Sequence, residues 1–277
     1  MQPIHANSRW AIVALAAGTL ASPAEAQQRP PDLAGMWSDP PATLLDTFCL
    51  FWCSDAGLER LNALLDDPAN DERPTQALYA DAARYQYDEY LRPRMTPAGL
   101  AALNADPADD PGFLNCEPWG FAKEIFAPHQ LEITQHTDRV ELRYGEWEIK
   151  RTISFNDRAR PADRSSSPMG HSVARYEGDA LVIETSGINA NLAPWGLGFP
   201  APFPYDGRHS EQLRAVERYT RSEDGERLLL TATLEDPWAL KEPVVLKKVW
   251  AWAPDQEIYP YDTCEPPTEF TRGTNKQ

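Results

Sequence analysis

The spacing of apolar residues changes near residue 129, from every third or fourth position to every second. A period of two is typical of a β-strand with one buried face. Candidate strands with this alternation lie at residues 131–133, 140–144, 147–155, 171–176, 180–185, 212–222, 227–235 and 244–252. Together with a short strand at 33–37, the pattern predicts about eight or nine strands.

The links between these strands are short where they can be delimited. Residues 177–179 and 223–226 are rich in Gly, Asp and Glu, which is typical of turns that join antiparallel strands. A closed barrel of about eight strands removes exposed edges and can hold one small ligand. We therefore predict a mainly β chain with an antiparallel, lipocalin-like β-barrel, and a β-sandwich is the alternative architecture.

A helical insertion is predicted at about residues 54–105, before the strands. Ser54 can cap a helix in which Leu58, Leu61 and Leu64 recur at helical spacing. Thr96 followed by Pro97 is a second start signal, because proline suits the first helical turn. We interpret residues 27–277 as one barrel domain with this insertion packed on it or across its mouth.

The first 26 residues resemble a secretory signal. Arg9 precedes a short apolar run, and Ala24-Glu25-Ala26 matches a small-x-small cleavage site. A run of about 11 residues is shorter than the ~20 that a membrane-spanning helix needs. The mature protein is therefore predicted to be periplasmic or secreted, with a retained N-terminal helix as the alternative.

Export changes the interpretation of the four cysteines. In an oxidising compartment, Cys49, Cys53, Cys116 and Cys264 can form two bridges in any of three pairings. We favour Cys49–Cys53, which are close in sequence, together with Cys116–Cys264. A zinc site is the weaker alternative, because Cys49 and Cys53 lack a second close Cys/His pair.

Composition excludes several classes of protein. With 42% hydrophobic residues the chain is too apolar to be disordered, and its net charge of -16 disfavours nucleic acids and anionic membranes as partners. It contains no phosphate loop, no dinucleotide-binding glycine motif, no haem-attachment motif and no zinc-protease helix. We therefore expect a protein without a cofactor or a bound metal.

Polar residues occupy strand positions where apolar ones are expected. His171, His209 and Glu217 are the candidates for proton transfer, since a carboxylate can orient an imidazole. Arg175 or Arg218 can hold a substrate carboxylate in the barrel mouth. Tyr144, Tyr219 and Trp195 are the candidates for stacking on an aromatic ring. The alternatives are a salt-bridged core and histidines that donate a hydrogen bond where a strand begins.

An ordered series of short motifs runs through residues 95–265. It comprises Met95-Thr96-Pro97-Ala98-Gly99, Asp110-Pro111, Cys116-x-Pro118-x-Gly120, Gly170-His171-Ser172, Glu177-Gly178-Asp179-x-Leu181-Val182, His209-Ser210, Glu217-Arg218 and Asp236-Pro237. The series resembles a large, mostly uncharacterised family of secreted β-rich proteins from soil and water bacteria. Gly35-Met36-Trp37 also resembles the G-x-W opening of lipocalins.

The resemblance implies a function in the breakdown of lignin-derived aromatic compounds. Similar exported proteins include cofactor-independent lyases or decarboxylases of aromatic dimers, and His171, His209 and Glu217 are the positions to which this role would carry over. The chain departs from the family at Asn156-Asp157-Arg158-Ala159-Arg160-Pro161, where an acidic loop motif is changed. Any role of that loop is therefore in doubt.

Three functions remain open from the sequence. The first is a cofactor-independent lyase that acts on a small aromatic or phenolic acid by histidine-based general acid–base catalysis, with an arginine holding the carboxylate. The second is a lipocalin-like carrier that binds an aromatic or apolar small molecule without turnover. The third is a structural domain without a pocket.

Overall fold

The computed structural model describes residues 30–38, 43–102, 118, 120–145, 147, 149–156, 165–190 and 209–258. The predicted signal segment and the residues Trp195, Cys116 and Cys264 lie outside these ranges. The statements below concern the described residues.

Nine strands close into a single barrel in which sequence neighbours are also spatial neighbours. The strands are β1 Gly35–Ser38, β2 Leu131–Gln135, β3 Arg139–Tyr144, β4 Lys150–Ser154, β5 His171–Glu177, β6 Ala180–Ser186, β7 Arg214–Arg221, β8 Arg227–Glu235 and β9 Val244–Trp252. Strand β1 pairs with both β2 and β9, which closes the ring. The barrel prediction is confirmed, and the sandwich alternative is excluded.

One junction of the barrel differs from the others. Strands β4 and β5 run parallel and pair only through Ser154 and Val173. All other adjacent strands are antiparallel, and β7 pairs with β8 over eight residues. Main-chain hydrogen bonding is therefore weakest between β4 and β5, and side chains must help to hold the barrel together there.

Helices lie between β1 and β2, in the region where the apolar spacing predicted them. They are α1 Leu44–Phe48, α2 Asp55–Leu65, α3 Thr75–Tyr85 and α4 Pro97–Ala102, with a π-turn at Gln86–Leu91 and a 3₁₀ turn at Arg92–Arg94 between α3 and α4. The Ser54 hydroxyl accepts a hydrogen bond from the Gly57 amide, so the predicted cap is confirmed. No helix within the described ranges has both the length and the apolar character to cross a bilayer.

The helices cover the outside of the barrel at β8 and β9. Leu61, Leu78 and Ala82 pack in a cluster with Val249, whose side chain points away from the barrel interior. The cluster also contains the Cys49–Cys53 disulfide, which confirms that predicted pair. Backbone hydrogen bonds between Cys53 and Lys247 dock the bridge onto β9.

A fifth helix, α5 Phe121–Phe126, lies within the barrel core. All six of its residues are buried, including Lys123 and Glu124, and Phe121 and Phe126 join the same apolar cluster as the inward strand residues. This helix was not predicted from the sequence. Six residues are too few for a helical period to be recognised, and because the helix is buried on every side, it has no exposed polar face to mark it as amphipathic.

Gly35 lies where a barrel end is tightly packed. Its φ is +126°, and a Cβ built on it would lie 2.3 Å from the ring of Trp252. We expect Gly35→Ala to lower the free energy of unfolding by about 2–5 kcal/mol, since backbone strain and overpacking act together. Denaturant unfolding monitored by circular dichroism measures the change.

Gly178 provides the matched control. Its φ is +61°, but nothing lies within 4 Å of an added Cβ. Gly178→Ala should cost only the left-handed backbone penalty of about 1–2 kcal/mol. Equal losses in the two variants would contradict the assigned contact between Gly35 and Trp252.

Candidate functional site

A buried ion pair spans the barrel interior from β4 to β7. The Arg151 guanidinium meets the Glu217 carboxylate end-on, with Nη1 donating to Oε2 at 2.8 Å and Nη2 donating to Oε1 at 2.7 Å. The side chains are 3% and 0% exposed. Two ionised groups removed from water this completely are tolerated only with close pairing and further hydrogen bonds.

Four hydroxyl groups supply those further hydrogen bonds. Nη1 of Arg151 donates to the Tyr144 hydroxyl at 3.0 Å. The second N–H of Nη2 is shared between the hydroxyls of Ser172 at 2.9 Å and Thr185 at 3.0 Å. The Tyr219 hydroxyl donates to Glu217 Oε2 at 2.8 Å. These six residues, Arg151, Glu217, Tyr144, Tyr219, Ser172 and Thr185, form what we call the guanidinium network.

Burial sets the protonation of the network. It raises the pKa of Tyr144 to about 12, although the nearby Arg151 opposes the change. Burial and the Glu217 carboxylate raise the pKa of Tyr219 well above its usual value. Burial alone would lower the pKa of Arg151, but Glu217 raises it well above its usual range. Both tyrosines are therefore neutral and the guanidinium is charged at physiological pH.

A cleft of about 490 Å³ opens between β4 and β5, where the strand ladder is shortest. Its lining includes Arg151 and Ser172 from the network together with His171, and it also contains Asp138, Arg139, Lys150, Thr152, Ile153, Ser154, Asn156, Ser167, Met169, Gly170 and Val173. This β4–β5 cleft is the described cavity that reaches both a network residue and a histidine.

His171 lies on the outward face of β5, opposite in direction to Ser172. Its Nε2 is 2.7 Å from the Ser165 carbonyl oxygen. Because a carbonyl only accepts hydrogen bonds, Nε2 carries the proton in the neutral ring and Nδ1 keeps a lone pair. His171 therefore borders the cleft as a potential base, although it does not point into the barrel.

His209 lies elsewhere, fully buried just after an undescribed segment. Its Nδ1 is 3.1 Å from the Ser210 carbonyl oxygen, and its Nε2 is buried without a hydrogen-bond partner among the described residues. Burial lowers the pKa of His209; Ser210 and Asp236 oppose the shift, and Lys123 adds to it. His209 is thus a neutral imidazole whose contacts are separate from those of Glu217.

The two predicted carboxylate-binding arginines lie on the outside of the barrel. Arg175 pairs with Glu177 and Glu184, and Arg218 pairs with Glu177 and Asp179. Alternation along β7 directs Arg218 away from the side on which Glu217 lies, and Arg175 likewise points away from Ser172. The prediction that Arg175 or Arg218 holds a substrate carboxylate in the barrel mouth finds no support in this outward placement.

Two buried cations in the barrel interior were not predicted from the sequence. Arg151 occupies an inward position on β4, and Lys248 on β9 donates to the Ala127 carbonyl and lies 4.4 Å from the centre of the Trp250 ring. A signal was present, because Arg151 shares a strand face with Ile149 and Ile153. Tyr144 and Tyr219 were selected as ring-stacking residues, and the structure places both in the guanidinium network.

No family model matches the chain, and no curated protein matches it either. Across the described ranges, no group of three or more His, Cys, Asp or Glu side chains is arranged to hold a metal ion. The function of the candidate site therefore has to be inferred from the positions of its own residues.

Removing the charge of Glu217 tests how strongly the network depends on the ion pair. We expect Glu217→Gln to lower the free energy of unfolding by about 3–5 kcal/mol, because the guanidinium of Arg151 would remain buried without a counter-charge. Chemical denaturation at neutral pH gives the value.

Glu184→Gln is the surface control for this experiment. Glu184 pairs with Arg175, but its side chain is 55% exposed. Its loss should cost less than about 1 kcal/mol. A similarly small effect for Glu217→Gln would show that the interior pair is not a major source of stability.

The lowered pKa of His209 predicts an acid-dependent loss of stability. Unfolded histidine titrates near about 6.5. Between that pH and the lower folded value, the unfolded chain binds a proton that the folded protein does not, so stability falls as pH decreases through this window.

His209→Gln removes this proton linkage. The free energy of unfolding of the wild type relative to His209→Gln should therefore be smaller at pH 5 than at pH 7.5. Urea denaturation of both proteins at several pH values measures the difference, and a constant difference would refute the assignment of a buried neutral imidazole.

Proposed function

We propose that the protein is a cofactor-independent lyase that acts on a small aromatic or phenolic acid in the β4–β5 cleft. The observation that carries the proposal is that this cleft joins a solvent-accessible histidine to a fully buried guanidinium network. Pockets with a few convergent polar groups are the usual sites of small-molecule chemistry. The resemblance to secreted aromatic-compound lyases supports the same reaction class.

His171 is assigned the proton transfer. With Nε2 held by the Ser165 carbonyl, the lone pair on Nδ1 can remove a proton from a substrate hydroxyl. As the adjacent carbon–carbon bond breaks, its electron pair remains on the aromatic fragment, and the other fragment leaves as a carbonyl compound. The imidazolium then returns the proton to the aromatic fragment, so the reaction needs no net oxidant or reductant.

Glu217 is assigned a positioning role. Both of its oxygens already accept hydrogen bonds, from Arg151, Tyr219 and Thr185. It therefore acts through Arg151, whose orientation it fixes. His209 does not line the cleft, and we assign it to the buried core near Ser210 and Asp236.

Export from the cytoplasm is part of the proposal. The Cys49–Cys53 disulfide fits an oxidising compartment, since such bonds rarely persist in a reducing cytosol. The signal-like first 26 residues support a periplasmic or secreted location. An exported enzyme of this kind would meet small aromatic acids outside the cytoplasm.

A binding protein without turnover is the second candidate. The observation that favours it is the saturation of the network at rest: both Glu217 oxygens and both terminal nitrogens of Arg151 already have partners. Groups that are already paired at rest have no free donor or acceptor to exchange a proton with a ligand, which favours binding without conversion. Under this alternative the ligand leaves the cleft unchanged.

Turnover separates the two candidates. The purified protein is incubated with a panel of hydroxylated aromatic acids, and loss of substrate mass is followed by mass spectrometry. For an acid that is consumed, His171→Ala should lower the rate by about 10²–10⁴-fold, the usual contribution of general acid–base catalysis.

His136→Ala is the matched control. His136 is also a partly exposed histidine, but it pairs with Glu141 and does not line the β4–β5 cleft. The His136→Ala variant should consume the acid at the rate of the wild-type protein. If every acid that binds to the wild-type protein is recovered unchanged, we would conclude that the protein is a carrier and not a lyase.

A further inference from the structure

Arg151 has one donor that the fold does not use. A guanidinium carries five N–H groups. Nη1 serves Tyr144 and Glu217, and Nη2 serves Glu217, Ser172 and Thr185. Nε is buried and has no partner among the described residues. A buried N–H without an acceptor carries a desolvation cost, and a site that binds an acceptor there recovers it.

The unused donor lies on a particular edge of the group. Glu217 occupies the end-on edge formed by Nη1 and Nη2. The remaining edge, formed by Nε and Nη2, meets Ser172 at Nη2 and nothing at Nε. Ser172 and Arg151 both line the β4–β5 cleft. This side-on edge has the spacing that suits the two oxygens of a carboxylate.

From this geometry we infer that the side-on edge of Arg151, with its unpaired Nε–H, is the docking point for a carboxylate that enters the β4–β5 cleft. Because this edge is covered at rest, the carboxylate displaces the Ser172 hydroxyl: one of its oxygens accepts from Nε, and the other replaces Ser172 as an acceptor for Nη2. The inference deepens the proposed function by assigning the group that recognises the acid. The same recognition would serve a carrier.

The charge of the cleft leaves the recognition of an anion to direct contact. The charged side chains that line it are Asp138, Arg139, Lys150 and Arg151. Arg139 pairs with Asp138 and Glu141, and Lys150 also pairs with Glu141. Glu217 neutralises Arg151. Because these charges balance, an anion in the cleft is held by the hydrogen bond that Nε of Arg151 can donate, and not by a long-range field.

The class of anion follows from shape. A planar carboxylate matches two parallel N–H donors on one edge of a guanidinium, whereas a neutral amide offers a single acceptor oxygen. Inorganic phosphate can also pair with a guanidinium edge, but it brings no ring to contact the apolar side chains of Ile153, Met169 and Val173 in the cleft. It should therefore bind more weakly than an aromatic carboxylate. We expect selection for aromatic monocarboxylates.

Calorimetric titration with benzoate, benzamide and inorganic phosphate tests this selection on the wild-type protein. Benzoate should bind about tenfold or more tightly than benzamide, the ratio that one charge-assisted hydrogen bond of about 1.5–3 kcal/mol supplies. Phosphate should not compete with benzoate. Equal affinity for benzoate and benzamide, or displacement of benzoate by phosphate at similar concentration, would overturn the inference.

The double variant Arg151→Met with Glu217→Leu removes the donor without leaving a buried charge. It should lose benzoate binding by about tenfold or more, whereas Arg175→Met on the outer face should bind as the wild type does. A folded double variant with wild-type affinity would disprove the role of Arg151.

Nuclear magnetic resonance of the wild type covers the case in which the double variant does not fold. Saturating benzoate should shift the signal of one slowly exchanging arginine Nε–H, and no such shift would reject the site. The outcomes for the docking site and for the lyase are distinguishable. If benzoate binds but no acid is turned over, the lyase proposal is rejected and the docking site is retained.

Discussion

The guanidinium of Arg151 connects five consecutive strands of the barrel. It extends from β4 and bonds Tyr144 on β3, Ser172 on β5, Thr185 on β6 and Glu217 on β7. Because β4 and β5 share only one backbone pairing, these side-chain bonds supply part of the connection that a strand ladder supplies elsewhere. The charge is tolerated inside because Glu217 neutralises it and hydroxyls occupy most of the remaining positions.

The parallel arrangement of β4 and β5 explains why the connection is needed. Two antiparallel strands can be joined by a tight turn, but parallel strands need a chain that returns along the barrel. The sequence between Ser154, which ends β4, and His171, which begins β5, is 16 residues long, far longer than a tight turn. The cleft opens between the same two strands. The short ladder, the ion pair that compensates for it and the cleft therefore all follow from the parallel arrangement of β4 and β5.

The sequence predicted the barrel well, because alternation records which side of a strand is buried. Leu131, Ile133, Leu181 and Ile183 all face the core as their period of two indicated. Glu217 was also identified, since a carboxylate between Ala215 and Tyr219 interrupts a core face. The outward placement of Arg175 and Arg218 was not predicted, because polar residues occupy both faces of β5 and β7 and sequence alone does not say which face is inside.

Arg151 was overlooked because its partner is distant in sequence, 66 residues away at Glu217. A cation between Ile149 and Ile153 is an interior charge only if the opposite wall supplies an anion, and strand order decides that. Arg151 and Glu217 each replace an apolar residue on an inward strand face. Because β4 and β7 face each other, the two charges form a single ion pair. If the barrel had closed with a full ladder between β4 and β5, apolar residues could take the place of both charges. The ion pair is therefore explained by the junction that its side chains hold together, next to the cleft that Arg151 lines.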